Sequence, residues 1–330
     1  MFVFDSPHSP HELTLHFFSG GFIPNKSIAI VGAAMYATVG NIHAFNWLIV
    51  GRRPFLLTLI LGMMAMAGGL GLRVLFAGSP VTSVGLYVGM TMVRALPQPC
   101  TYLATDYMLL ARLAGTFDKD VAQQCLLVPA SRIVKFFVLS DALTFLLQAA
   151  GGGLSSGSSH KMANLGNMIA IIGLALQLFS FALFTVILLV FGQRMRSSFP
   201  EVWRYKSSRH QGFRVFDRSP VDDWRILYFV MCVTCIGILT RSVYRLIEFA
   251  QGRDGFLAMH EAYFYILDAL PLWLAMSLYC IVWPVRFLEA HPRRGASQVE
   301  LSPHRFRIIL CRRCSTIRVL SVSDWDRVGI

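Results

Sequence analysis

RSVYRLIEFAQGRDGFLAMHEAYFYILDALP, residues 241–271, lies between two strongly apolar runs yet carries Arg241, Arg245, Glu248, Arg253, Asp254, Glu261 and Asp268. Arg241, Arg245 and Glu248 are spaced i, i+4, i+7, which sets them on one face of a helix. Glu261, Tyr265 and Asp268 repeat that spacing beyond a Gly-containing turn. Arg241 and Asp268 each lie about eight or nine residues from that turn, roughly 12–14 Å along their helices. A lone charge at mid-membrane costs about 2.5–3.5 kcal/mol on insertion scales, and facing ladders of opposite sign offset that cost. The stretch therefore predicts a helical hairpin with two rungs, Arg241 with Asp268 and Arg245 with Glu261. On the plainer reading these pairs lock two helices together. On the sharper one they line a polar cavity for a substrate head group.

The rest of the chain supplies the apolar setting. Of 330 residues, 55% are hydrophobic and 15% charged, with a mean hydropathy of +0.55. Soluble domains carry about 25% charged residues. Apolar runs of roughly 20 residues match a ~30 Å hydrocarbon layer. Seven spans are expected, at 27–50, 54–77, 81–111, 133–153, 166–191, 225–247 and 262–285. The third is overlong and interrupted by Arg94, Pro97, Pro99 and Asp106, which suits a kinked or tilted helix. The expected fold class is an all-α membrane protein, a seven-transmembrane-helix bundle over 27–285. Residues 1–26 form an extracytoplasmic segment, and 286–330 a basic, disordered cytoplasmic tail. Residues 1–26 lack a basic stretch followed by an apolar core, so the first span is expected to act as the insertion signal.

Basic residues set the orientation. With the N-terminus outside, 23 Lys and Arg residues fall on the cytoplasmic side, mainly in the 192–225 loop and the tail. Six fall opposite: Lys26, Arg73, Lys161, Arg241, Arg245 and Arg253. Positive charge prefers the cytoplasm, which gives an outside N-terminus and an inside C-terminus. The net charge of +12 is then juxtamembrane. Its partner is anionic inner-leaflet lipid, at roughly 1 kcal/mol per basic residue, and not nucleic acid. The Asn25 sequon abuts the first span and is expected to stay unmodified.

Other polar groups point inward. Asp141, Thr144 and Gln148 share a face of the fourth span. A buried Asp needs a partner on another helix or a proton, and Arg94 is one candidate mate for Asp141. Gly151, Gly152 and Gly153 are expected to end that helix, ahead of a flexible LSSGSSHK loop. His43, with Asn41 and Asn46, reads as a hydrogen-bonded packing residue. Cys311 and Cys314, in CRRC, make half a zinc site at most and suit palmitoylation better. No cofactor or metal is implied.

At these residues the chain resembles the fungal lipid-translocating exporters, a seven-span family associated with aminocholesterol resistance and sphingoid long-chain-base release. The resemblance rests on the opening stretch, with Arg241, Arg245, Glu248, Gly252, Gly255, His260, Glu261, Tyr265 and Asp268. SDALTFLLQAAGGGL adds Asp141, Gln148 and three glycines; PCTYLATDYMLLARL adds Pro99, Ala104, Tyr107 and Arg112; GLALQ adds Gly173 and Gln177. These blocks span about residues 22 to 285. One departure falls in the second span, where the family's acidic and aromatic positions hold Met66 and Leu70. The resemblance implies a plasma-membrane or endomembrane protein that moves amphipathic lipids or gives resistance to toxic ones.

Three functions compete on these residues. A lipid exporter or flippase would use Asp141, Glu261 and Asp268 against a sphingoid amine. The chain has no GxxxxGK[ST] phosphate loop, so transport would be proton-coupled or downhill. The alternative is a seven-helix receptor or sensor coupled through the 192–225 loop and tail, although LLARL is a poor match to the usual triplet ending the third span. A retinal protein lacks its Lys in the seventh span. A ceramidase-type zinc hydrolase needs about three His and an acid, and the spans offer only His43 with His260 at an edge.

Overall fold

The structure, a computed structural model, describes residues 25–78, 97–155, 160–204, 221, 223–252 and 255–288. Among these residues every regular element is helical. α1 spans Lys26–Val50, and Asn25 caps it: Oδ1 accepts from the Ser27 and Ile28 amides at 3.0 and 3.4 Å. A 3-10 turn at Pro54–Leu56 leads into α2, Leu57–Gly78. The α1–α2 connection is closed by Trp47, whose Nε1 donates to the Arg53 carbonyl at 3.0 Å. α3 is Pro97–Ala114, α4 Lys119–Cys125, α5 Ala130–Ser155 and α6 His160–Ser198. α7 is Pro200–Arg204, α8 Trp224–Gln251 and α9 Phe256–Met259. α10, Glu261–Ile281, contains a π-helical turn at Phe264–Ala269, and α11 is Pro284–Leu288.

Six of these helices, α1, α2, α5, α6, α8 and α10, are long and apolar enough to cross a membrane. The expected third span is described only from Pro97, as α3, which runs on to Ala114. Packing follows chain order around a closed ring: α1, α2, α3, α5, α6, α8, α10 and back to α1. α3 dips inward from this ring. Tyr102, Leu103, Thr105, Asp106, Tyr107, Leu109, Leu110 and Leu113 are all at most 1% exposed. The outer faces carry large apolar side chains, with Leu139, Phe179 and Ile236 at 73, 70 and 64% exposure. In water such a belt would be unstable, whereas lipid is its natural solvent.

Lipid offers no hydrophobic drive for helices to associate, so close approach and dispersion must supply it. The α5–α6 pair shows how. A Cβ on Gly151 would sit 2.6 Å from the Gly166 carbonyl oxygen and the Ala170 nitrogen, so the two backbones touch. The glycines therefore do not end the fourth span, as their sequence position suggested. The helix continues to Ser155, with Gly151 as a packing surface, and LSSGSSHK is helical at Leu154–Ser155 and again from His160, with 156–159 outside the described residues. Higher on the same seam Gln148 Nε2 donates to Gln177 Oε1 at 2.9 Å. An aromatic cluster of Tyr107, Phe137, Phe181 and Phe184, with centroids 4.6–6.4 Å apart, fills the space between α3, α5 and α6.

Two further boundaries move. α6 has 39 residues, about 58 Å at 1.5 Å per residue, and outruns the expected 166–191 span at both ends. Arg286, expected to open a solvated tail, is 3% exposed in α11, and its carbonyl accepts from the Val221 amide at 3.0 Å. Residues 1–24 and 289–330, including Cys311 and Cys314, lie outside the described residues.

Substituting Gly166 by Leu is expected to cost about 1–3 kcal/mol or more by overpacking the α5–α6 seam. Gly153→Ala, where nothing lies within 4 Å of a new Cβ, should be neutral. Thermal unfolding of the two variants in detergent checks the contrast.

Candidate functional site

Pro271 lacks a backbone N–H, and its ring pushes against the carbonyl of Leu267 one turn back. The π turn at Phe264–Ala269 lies there and relieves the conflict with one extra residue in the turn. It delivers Asp268 to the interior at 0% exposure. Facing it, Gly237 of α8 lets the backbone of Pro271 close in, since a Cβ there would lie 2.9 Å from the Pro271 carbonyl oxygen. α8 and α10 thus meet at short range, and two arginines of α8 converge on one carboxylate. Arg241 Nη1 is 2.5 Å from Asp268 Oδ1, and Arg245 Nη2 donates to Oδ2 at 2.5 Å. Arg245 Nη1 also reaches Glu248 Oε2 at 2.9 Å, one turn along the helix.

The rung expected between Arg245 and Glu261 is not made. Glu261 Oε1 instead pairs with Arg73 Nη2 of α2 at 2.9 Å, and Oε2 accepts from the Asn25 amide at 2.9 Å. The reason is the π turn. Its extra residue rotates everything before it by about 100° relative to an unbroken helix, so Glu261 leaves the face that Asp268 occupies. Tyr265 goes the same way; its ring centre is 5.8 Å from the Arg73 guanidinium. Phe264 lies between the two halves of the network, 5.0 Å from Arg73 and 5.7 Å from Arg245, in cation–π range of both. Arg73, Arg241 and Arg245 balance Glu248, Glu261 and Asp268 in charge, so the cluster as a whole is neutral. From α1, the Tyr36 hydroxyl donates to the Ala269 carbonyl at 2.6 Å, beside Arg241 and Asp268.

Asp141 is placed differently. It is 3% exposed, and neither carboxylate oxygen has a hydrogen-bond partner among the described residues. The Tyr107 hydroxyl lies beside the carboxylate. Arg94, the mate suggested by sequence, lies outside the described residues. Thr144 donates to the Asp141 carbonyl, and Gln148 is engaged with Gln177. His43 stacks on Trp283 at 5.9 Å and bonds the Met276 backbone, while Asn46 Nδ2 donates to the Cys280 carbonyl at 3.2 Å. Met66 and Leu70, at the family's acidic and aromatic positions, are core residues at 0% exposure.

Sequence reading missed Arg73 and Asp106. Arg73 reads only as one of the outer-side basic residues, at the end of the second span, yet it is 3% exposed. Its position one turn from the end of the second span, with Glu261 unmatched across the hairpin, is the clue. Asp106 is 0% exposed and accepts from the hydroxyls of Tyr279 at 3.0 Å and Thr234 at 3.1 Å. It was treated only as an interruption of the third span.

A family model described as "RTA1 like protein" matches residues 59–291. Among curated proteins, the chain is 31% identical to Protein RTA1 of Saccharomyces cerevisiae over 195 residues, 58% of this chain and 55% of that one. Protein RTM1 of the same yeast is 31% identical over 190 residues, 57% of this chain and 55% of that one. The match thus spans about half the length of these two relatives. The yeast sphingoid long-chain base transporter RSB1 is 27% identical over 287 residues, 80% of this chain and 73% of the relative. No solved structure matches the chain.

Removing Asp268 takes the shared carboxylate from two buried guanidinium groups, leaving Glu248 as the remaining acid on Arg245, and breaking such a buried pair costs about 3–5 kcal/mol. Asp268→Ala is therefore expected to lower thermal stability more than Glu248→Gln, whose carboxylate is 16% exposed. Equal losses in the two variants would mean that Asp268 does not hold the hairpin.

Proposed function

The chain belongs to the RTA1-like family of membrane proteins, and from that premise we propose that it moves amphipathic lipids with a cationic head across the membrane, or protects against toxic ones. The observation that carries this reading is the alignment with a sphingoid long-chain base transporter over 80% of the chain. The disposition of acidic groups supports it and narrows the contact. Asp268 is engaged by two arginines and Glu261 by Arg73 and a backbone amide, so neither is open to an incoming amine. Among the candidate site carboxylates, Asp141 alone lacks a cationic partner among the described residues. An ammonium head entering between α3 and α5 would neutralise it, and Gln148 lies two turns along the same helix for a hydroxyl of the head group.

The N-terminus faces out and the C-terminus faces the cytoplasm in this reading. Arg73, Arg241 and Arg245 are buried in ion pairs, so they do not count as loop charges, and the bias of basic residues toward the cytoplasmic side sharpens. Those residues meet anionic inner-leaflet lipid. The plasma membrane is the expected location, where export of a toxic base has its effect. Energy comes from a gradient or from the lipid's own distribution.

Overexpression in a fungal host should raise growth on a sphingoid base above a vector control, scored beside sterols and azoles. Asp141→Asn should return tolerance to the control level at unchanged surface abundance. Wild-type tolerance in that variant would remove Asp141 from the path of the lipid.

A further inference from the structure

Hydrogen counting singles out Asp106. The Thr234 hydroxyl has one proton but two acceptors within reach, the Met231 carbonyl at 2.8 Å and Asp106 Oδ2 at 3.1 Å. The Tyr279 hydroxyl is committed to Asp106 Oδ1 at 3.0 Å. If Asp106 is ionised, Thr234 gives its proton to Oδ2, the Met231 carbonyl keeps its helical amide donor, and a full charge is left at 0% exposure on two hydroxyl donors alone. If Oδ2 carries a proton, all three contacts are made at once: Tyr279 to Oδ1, Oδ2–H to Thr234, and Thr234 to Met231. A carboxylate enclosed without a cation is held more readily in its neutral, protonated form.

No cation offsets a negative charge at this position among the described residues. The titratable groups facing Asp106 are Tyr279 of α10, Cys232 and Cys235 of α8, and its neighbour Tyr107 on α3. All are neutral in their protonated forms. We propose that Asp106 is a proton-binding site that joins α3 to the α8–α10 pair. The proton comes from water and rests on Oδ2. Its loss leaves a bare carboxylate in a dry interior, where water or a cation must enter.

The position gives the site leverage. Thr234 lies seven residues before Arg241 on α8, and Tyr279 eleven after Asp268 on α10, about two and three turns from the ion pairs. The same two helices are therefore bolted together by charge at one level and tied to α3 by a proton at the other. Proton release puts a charge at the second tie alone, and the water or cation drawn in to it lets α8 and α10 move as a unit against α3. This coupling role rests on the lipid-moving reading, whereas the proton site itself does not.

The test uses the full chain in phosphatidylcholine vesicles. Infrared difference spectra should show a carboxylic-acid carbonyl component at neutral pH that is lost in Asp106→Asn and shifted in Asp106→Glu. Asp106→Asn should unfold at the wild-type temperature, because its amide donates to Thr234 and its carbonyl accepts from Tyr279. Asp106→Ala should unfold earlier. An unchanged carbonyl band in Asp106→Asn, or destabilisation equal to that of Asp106→Ala, overturns the proton site. In the same vesicles an imposed pH gradient should drive uptake of a fluorescent long-chain amine, and Asp106→Asn should abolish the gradient dependence. If wild type keeps the band but moves no amine, the lipid-moving reading and the coupling fall while the site stands.

Discussion

One carboxylate gripped by two guanidinium groups organises this bundle. Asp268 is fully enclosed, and its two oxygens are taken by Arg241 and Arg245 at 2.5 Å. Neither arginine could be held in an apolar interior alone, and Asp268 alone would be as costly. The three groups therefore specify each other's positions and fix α8 against α10. Glu248, Arg73 and Glu261 extend the network to the adjoining turn and to α2, and Phe264 shares its ring face between the two parts. Such a cluster is not by itself a large source of stability, since desolvation consumes most of the Coulombic gain. It is a source of uniqueness: any other rotation of α10 leaves a charge in lipid.

Small residues do the complementary work. Gly237 admits the backbone of Pro271, and Gly151 and Gly166 bring α5 and α6 into backbone contact. At Gly62 a Cβ would meet the Thr101 and Tyr102 side chains at 2.6 Å, which brings α2 onto the central helix α3. Attraction between helices in lipid depends on this closeness. The close seams in turn leave α3 enclosed, which is why Asp106 and Asp141 sit in so dry a setting.

The membrane class, most span positions and the inward-facing charges were legible in the sequence, because run length and charge depletion answer directly to the thickness and polarity of a bilayer. The Arg241–Asp268 contact followed from spacing and depth alone. The Arg245–Glu261 contact did not, because a π turn shifts register without altering the amino-acid pattern that helical spacing counts. Pro271 was visible, yet a proline can produce a kink, a break or a bulge, and only packing against Gly237 selects among them. Arg73 reads from the sequence as an outer-side charge near the end of the second span, and Arg286 as the first residue of the basic tail. Both are buried near helix ends, where a few residues of misplacement in a boundary decide between loop and core. Asp106 illustrates a different limit. Its hydroxyl partners, Thr234 and Tyr279, come from helices 128 and 173 residues away in the chain, and neither residue type advertises such a role.

The length of α6 has a mechanical consequence. At about 58 Å it exceeds even a bilayer counted with its head groups, about 40–45 Å, so its end stands clear of the lipid as a rigid mast. That end is not isolated. α7 folds back from it, Trp203 packs edge-on against Trp224 at 5.4 Å, and Arg225 donates to the Trp203 carbonyl at 3.0 Å. The start of α8 is thereby moored to the tip of α6, and any axial stroke of α8 tugs on the mast, carrying news of the bundle's interior to the surface outside it.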